Sequence, residues 1–154
     1  MELHAKRANT GFTLIELMVV VVIATILLAI AIPNYLSYVR QARRSEAKTA
    51  LLDLAGREET YFSTNGTAYT NSAVALGFGA GWNAPFGSGY YQIAACSPAC
   101  APSAAAAPSY SFTATPLGTQ VNDTQCASFS VDSTGTQYAF TSGGVNNTAY
   151  CWAN

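Results

Sequence analysis

The run from Phe12 to Ile32, FTLIELMVVVVIATILLAIAI, is apolar except for Thr13, Glu16 and Thr25. Wound as a helix, its twenty-one residues would extend about 31 Å, close to the roughly 30 Å hydrocarbon core of a bilayer. A segment of that length spans a membrane or is covered by other chains. Glu16 is the anomaly within it. A carboxylate in hydrocarbon costs on the order of 3 kcal/mol, so an acid there marks a functional site by default. No further charge occurs until Arg40, and the following stretch PNYLSYVRQARR has no A-x-A pattern for signal cleavage. The apolar segment is therefore expected to remain on the mature protein.

The charges that do occur are confined to the first part of the chain. Every Lys and Arg lies at or before Arg57, and beyond Thr60 the acidic side chains are Asp123 and Asp132 alone. Charged residues make up 10% of the sequence, against roughly 25% in an average soluble protein. The net charge of −1 gives no bulk attraction to nucleic acid or anionic lipid. Lys6 and Arg7 precede the apolar span, whereas Arg40, Arg43, Arg44 and Lys48 follow it. That balance would leave the C-terminal part in the cytoplasm. The four cysteines, Cys96, Cys100, Cys126 and Cys151, argue instead for an oxidising exterior, and we give them the greater weight. Four cysteines allow three disulfide pairings. Cys96 with Cys100 would staple a hairpin tip, and Cys126 with Cys151 would tie the C-terminal segment to a sheet. The rival, a zinc site, fits poorly with one C-x3-C and two isolated residues.

Pro33 is expected to bend or locally open the helix. Beyond it, Val39, Ala42, Ala47, Ala50, Leu51, Leu54 and Tyr61 recur mostly at helical spacing. Arg43, Arg44, Glu46, Lys48, Asp53, Arg57, Glu58 and Glu59 mostly fall on the other side. The sequence STNG, Ser63–Gly66, stops the helix. The remainder reads as strands: YYQIAAC at 90–96, SYSFTAT at 109–115, CASFSVD at 126–132 and TQYAF at 136–140, with a turn at DSTG. SPACAPSAAAAP reads as a flexible loop tip. The stretch 63–88 is a long loop whose Phe78, Trp82 and Phe86 must bury somewhere.

Nothing here forms a catalytic constellation: the single histidine is His4, and there is no G-x-S-x-G and no phosphate loop. Asp123 and Asp132 read as turn and cap residues rather than metal ligands. Tyr35, Tyr38 and Tyr61 read as packing residues. No enzyme activity, metal or cofactor is expected.

The stretch GFTLIELMVVVVIATILLAIAIPNY, Gly11–Tyr35, resembles the start of a type IV prepilin. The tail, TQVNDTQCASFSVDSTGTQ with the closing CW, is similar to minor pilins of the PilE kind. The resemblance implies an α+β fold: a long N-terminal helix packed on a small antiparallel sheet, with a disulfide-closed C-terminal loop. It divides the chain into a leader at 1–11, a membrane or filament-core half-helix at 12–39 and a globular head at 40–154. It implies cleavage between Gly11 and Phe12 by a prepilin peptidase, with N-methylation of Phe12. It places the characteristic acid of the family on Glu16. The new Phe12 amine supplies the cation that Glu16 needs, on a neighbouring subunit or within the same chain, and such a pair in low dielectric would fix register.

The implied role is a structural subunit of a type IV pilus, the PilE-like tail favouring a minor one. The subunit would be held in the inner membrane with its head in the periplasm, and its partners would be other pilins, the peptidase and the pilus assembly machinery. Two alternatives share the leader: a DNA-uptake pilin and a type II secretion pseudopilin. Direct DNA binding needs cations to neutralise phosphates, and residues 61–154 contain none.

Overall fold

The computed structural model describes residues 11–79, 81–103 and 106–153. A single helix, α1, runs Leu14–Asn65. Its start is set by Thr13, whose hydroxyl accepts the Glu16 backbone N–H at 3.3 Å, as an N-cap side chain does for the third helical residue. Its end is set by Gly66, which adopts φ +73° and donates its N–H to the Phe62 carbonyl at 2.7 Å. That left-handed exit favours glycine, so the STNG stop falls where the sequence puts it. Pro33 lies inside α1, and helix continues on both sides of it.

The chain divides into two compact units, 1–38 and 39–154. In the first, the helix is long and apolar enough to cross a membrane, and its apolar side chains are exposed. In the second, α1 buries Arg44, Ala47, Leu51, Leu54 and Glu58, a stripe at spacings of three and four. Two members of that stripe overturn the sequence expectation. The helical spacing puts Arg44 and Glu58 mostly on the outer side with the other charges, yet both are buried, while Ala42 is exposed. Periodicity ranks charged residues as solvent-facing, and it cannot see a partner or a cover supplied from far along the chain.

The stripe packs on a five-stranded antiparallel sheet in chain order: β1 Pro85–Phe86, β2 Tyr91–Cys96, β3 Ser111–Pro116, β4 Ser128–Asp132 and β5 Gln137–Phe140. Register pairs Ile93 with Ala114 and Ala114 with Phe129, placing apolar side chains of three strands in one row. The core is Leu51, Leu54, Tyr91, Ile93, Phe112, Ala114, Phe129 and Val131, among others. A 3-10 turn at Gly118–Asn122 and a short helix α2, Thr148–Ala153, complete the head. β1, the 3-10 turn and α2 are absent from the sequence expectation.

The aromatics of the long 63–88 stretch are half-buried and pack against the edge of the core. Phe78 stacks on Trp82 at 5.3 Å between ring centroids, and Trp82 meets Phe112 at 5.6 Å. The other face of the sheet is polar and is also covered. Cys100 donates its N–H to Ser111 Oγ at 2.9 Å, and Ser103 Oγ donates to Asp132 Oδ2 at 2.7 Å. Residues 97–103 of the Ala/Pro-rich loop are therefore anchored where the sequence predicts a flexible tip. Asp132 also accepts from the Thr134 amide and hydroxyl, the Thr136 amide and the Tyr138 hydroxyl. Burial pushes its carboxyl up, but the bonds from Ser103, Thr134 and Thr136 outweigh this and hold it below the ordinary range. Its role is to organise the DSTG turn. Among the described residues no group of three or more His, Cys, Asp or Glu is arranged to hold a metal.

Of the three possible pairings the structure makes Cys96–Cys100 and Cys126–Cys151, separated by 4 and 25 residues. Cys126 and Cys151 are buried, and their bond joins the segment before β4 to α2. The loop-entropy relation makes the two bridges unequal. Replacing Cys126 and Cys151 with serine is expected to lower stability by about 3–4 kcal/mol, and replacing Cys96 and Cys100 by about 2 kcal/mol. Denaturant titration of the unreduced full chain in detergent measures both.

Candidate assembly site

The helix start combines three sequence-designated residues. Gly11 and Phe12 are exposed and precede the first helical residue, Leu14, so the bond between them lies in non-helical backbone. Residues 1–10 of the expected leader fall outside the described residues. Glu16 lies in the first helical turn, where the partial positive charge of the helix N-terminus favours an acid. Thr13-Leu14-Ile15-Glu16 has the T-x-x-E spacing of a capping box, and the hydroxyl half of that box is formed. The signal for the cap is this four-residue spacing, which the sequence carries alongside the membrane cost of the charge. The bond observed at the helix start uses the Glu16 backbone N–H and leaves its carboxylate uncommitted to the cap.

In the head, the decisive constellation is centred on Arg44. Its Nε and Nη2 donate to Asp123 Oδ2 and Oδ1 at 2.6 and 2.7 Å, a bidentate fork between two buried side chains. Hydrogen bonding to Asp123 raises the Arg44 pKa further, against the opposing effect of burial. Gln120 Nε2 donates to Asp123 Oδ2 at 3.1 Å and to the Tyr91 hydroxyl oxygen at 3.2 Å. Burial pushes the Tyr91 phenol up to about 12. The network ties the 3-10 turn to α1 and to β2. Asp123 is therefore a partner in a buried ion pair, which its reading as an isolated turn acid did not foresee.

Comparison with known proteins agrees with this architecture. Residues 33–130, more than half of the chain, match the family described as "Type IV minor pilin ComP, DNA uptake sequence receptor". Residues 6–32 match the "Prokaryotic N-terminal methylation motif". The chain belongs to this type IV pilin family. The chain is 47% identical over 70 residues to the type IV major pilin protein PilA of Myxococcus xanthus, covering 46% of this pilin and 31% of that protein. It is 41% identical over 70 residues to the fimbrial protein EcpC of Eikenella corrodens, covering 46% of each. The match thus spans less than half the length of these relatives. A solved structure, "High-Resolution Structure of a Type IV Pilin from Shewanella oneidensis", is 26% identical with a TM-score of 0.45, covering 64% of this pilin and 89% of that chain. The family assignment rests on the family matches and not on that superposition.

The pilin head also shows where its cations are spent. The Arg43 guanidinium lies 3.3 Å from the Tyr90 ring centroid and donates to Thr119 Oγ1 at 3.1 Å. Lys48 Nζ donates to the Cys151 and Trp152 carbonyls at 3.4 Å. Arg57 pairs with Asp53 at 2.9 Å and donates to the Leu76 and Gly77 carbonyls. With Arg44 on Asp123, four of the five head cations are engaged by the pilin's own groups. Burying an ion pair makes each partner dependent on the other. Arg44→Met is expected to cost about 3–5 kcal/mol, because Asp123 is left buried and charged. Combining it with Asp123→Leu is expected to recover most of that loss in denaturant titrations of the full chain.

Proposed function

We propose that this pilin is a minor structural subunit of a type IV pilus, matured by cleavage between Gly11 and Phe12 and N-methylation of Phe12. The observation that carries the proposal is the exposed apolar half of α1, entered through Gly11–Phe12, carrying Glu16 and continuing into a disulfide-stapled head. Before assembly, residues 12–39 hold the chain in the inner membrane, with the head, 40–154, in the periplasm. In the filament those apolar side chains exchange lipid for the helices of other subunits, so no large hydrophobic term separates the two environments. Something other than hydrophobicity must then select register. Glu16 supplies it by pairing with the Phe12 amine that cleavage creates, so an uncut chain lacks the docking cation. Pro33 gives α1 a place to bend during the transfer. The partners are other pilins, the prepilin peptidase and the inner-membrane assembly machinery. The filament serves motility, adhesion or DNA uptake.

DNA reception by this subunit is a second reading, favoured by the family description alone. The charge placement opposes it: residues 61–154 contain no Lys or Arg, and Arg43, Arg44, Lys48 and Arg57 are engaged within the head. We therefore expect no retardation of duplex DNA by the detergent-solubilised chain at physiological salt, and a clear shift would favour the receptor role instead. A secretion pseudopilin is disfavoured by relatives named as pilins and fimbrial proteins.

The central test separates the charge of Glu16 from its place in the helix cap. The hydroxyl half of that cap uses the Glu16 backbone N–H, which Glu16→Gln retains along with side-chain size. Glu16→Gln is expected to insert in the membrane normally yet to reduce incorporation into sheared filaments by about tenfold or more. Normal incorporation would sink the docking role. Mass spectrometry of unreduced filaments is expected to find a chain beginning at methylated Phe12 and lighter by four hydrogens for its two disulfides.

A further inference from the structure

Among the described residues three side-chain carboxyls of the head are buried, and two are fully answered: Asp123 by Arg44, and Asp132 by hydroxyl and amide donors. Glu58 is not. Its side chain is 0% exposed. Oε2 accepts the Thr70 N–H at 3.2 Å, and Oε1 has no hydrogen-bond partner among the described residues.

The groups facing it offer no compensating cation. On α1 the neighbour is Glu59, which accepts from the Tyr69 hydroxyl at 3.1 Å. The connection after α1 contributes Tyr69, and the approach to β3 contributes Tyr110, whose hydroxyl donates to the Ala55 carbonyl at 3.4 Å. The nearest base in sequence, Arg57, is turned to Asp53 and to the Leu76 and Gly77 carbonyls. No Lys, Arg or His follows it.

The geometry points to a proton-operated latch at Glu58: while the carboxyl is neutral the connection after α1 stays closed over it, and ionisation opens that connection to water, because the one Thr70 N–H bond, though stronger to an anion, leaves the buried Oε1 without a donor. An ionised carboxylate with one oxygen unpaired in a dry site must be hydrated or neutralised. The backbone around Thr70 belongs to no helix or strand, so it is the part that yields to admit water. Burial raises the Glu58 pKa above its ordinary 4.5, the Thr70 amide opposes this, and the Glu59 charge adds to it. Folded protein therefore binds the proton more tightly than unfolded protein. The stabilisation is complete below about pH 4.5 and is lost as pH rises through the folded value.

Hydrogen exchange of the full chain in detergent, corrected for intrinsic rates, tests this. Protection of amides 67–79 is expected to fall about tenfold or more between about pH 5 and pH 8, while β3 and β4 amides hold. Glu58→Gln, permanently neutral, is expected to keep that protection flat. A flat profile in the wild type, or the same loss in Glu58→Gln, overturns the latch. If Glu58→Gln does not fold, glutamate-labelled infrared spectra of the chain carrying Glu16→Gln decide it. A protonated carboxyl band that persists to higher pH than the bands of the exposed glutamates supports the latch, and a band lost together with theirs overturns it.

Discussion

The bidentate contact between Arg44 and Asp123 sets how α1 is turned toward its head. An amphipathic helix with Ala47, Leu51 and Leu54 on one side could rotate by a fraction of a turn and still bury apolar surface. Arg44 on the same stripe removes that freedom, because its guanidinium must meet a carboxylate carried on the turn between β3 and β4. Such a pair adds little net stability over an apolar substitute, but it penalises every arrangement that leaves one charge unanswered. Gln120 and Tyr91 extend the constraint to the sheet. The neighbouring Glu46 makes a second fixed point, accepting the Ser88 N–H at 2.6 Å beside Gly87, where φ is +53° and a side chain would overlap the carboxylate.

Helix length, membrane segment and strand positions were legible because each depends on local pattern. The apolar run announces α1, Gly66 ends it, and aromatic alternation at Tyr110–Ala114 and Phe129–Val131 marks β3 and β4 within a residue or two. What local pattern could not show was long-range compensation. Arg44 finds Asp123 seventy-nine residues away, a separation no periodicity encodes. Glu58 is met by the backbone of Thr70, twelve residues further along the chain. α2 is a single short helix with no apolar repeat, and β1 has two residues, both below the length at which a pattern emerges. At the helix start the signal is local. Thr13 and Glu16 carry a capping-box spacing in a stretch whose apolar character alone reads as a membrane span.

One residue type thus serves two solvents along one helix. Glu16 lies in the first turn of the helix, where the partial positive charge of the N-terminus favours an acid. Glu58 is tolerable while neutral, because its surroundings offer nothing to an anion but one amide. A pilin must keep a single helix intact in lipid, in a filament and against its own head, and each carboxyl is tuned to the environment it meets.

The Cys126–Cys151 bond has a mechanical consequence. A filament under load is pulled through its helices. The Arg44–Asp123 pair passes part of that tension from α1 into the chain three residues before Cys126. The twenty-five residues that follow are closed into a covalent ring, so roughly 85 Å of backbone contour cannot pay out when the head is stretched. The last two strands, β4 and β5, lie inside that ring and cannot be drawn to full extension for as long as the bond is intact.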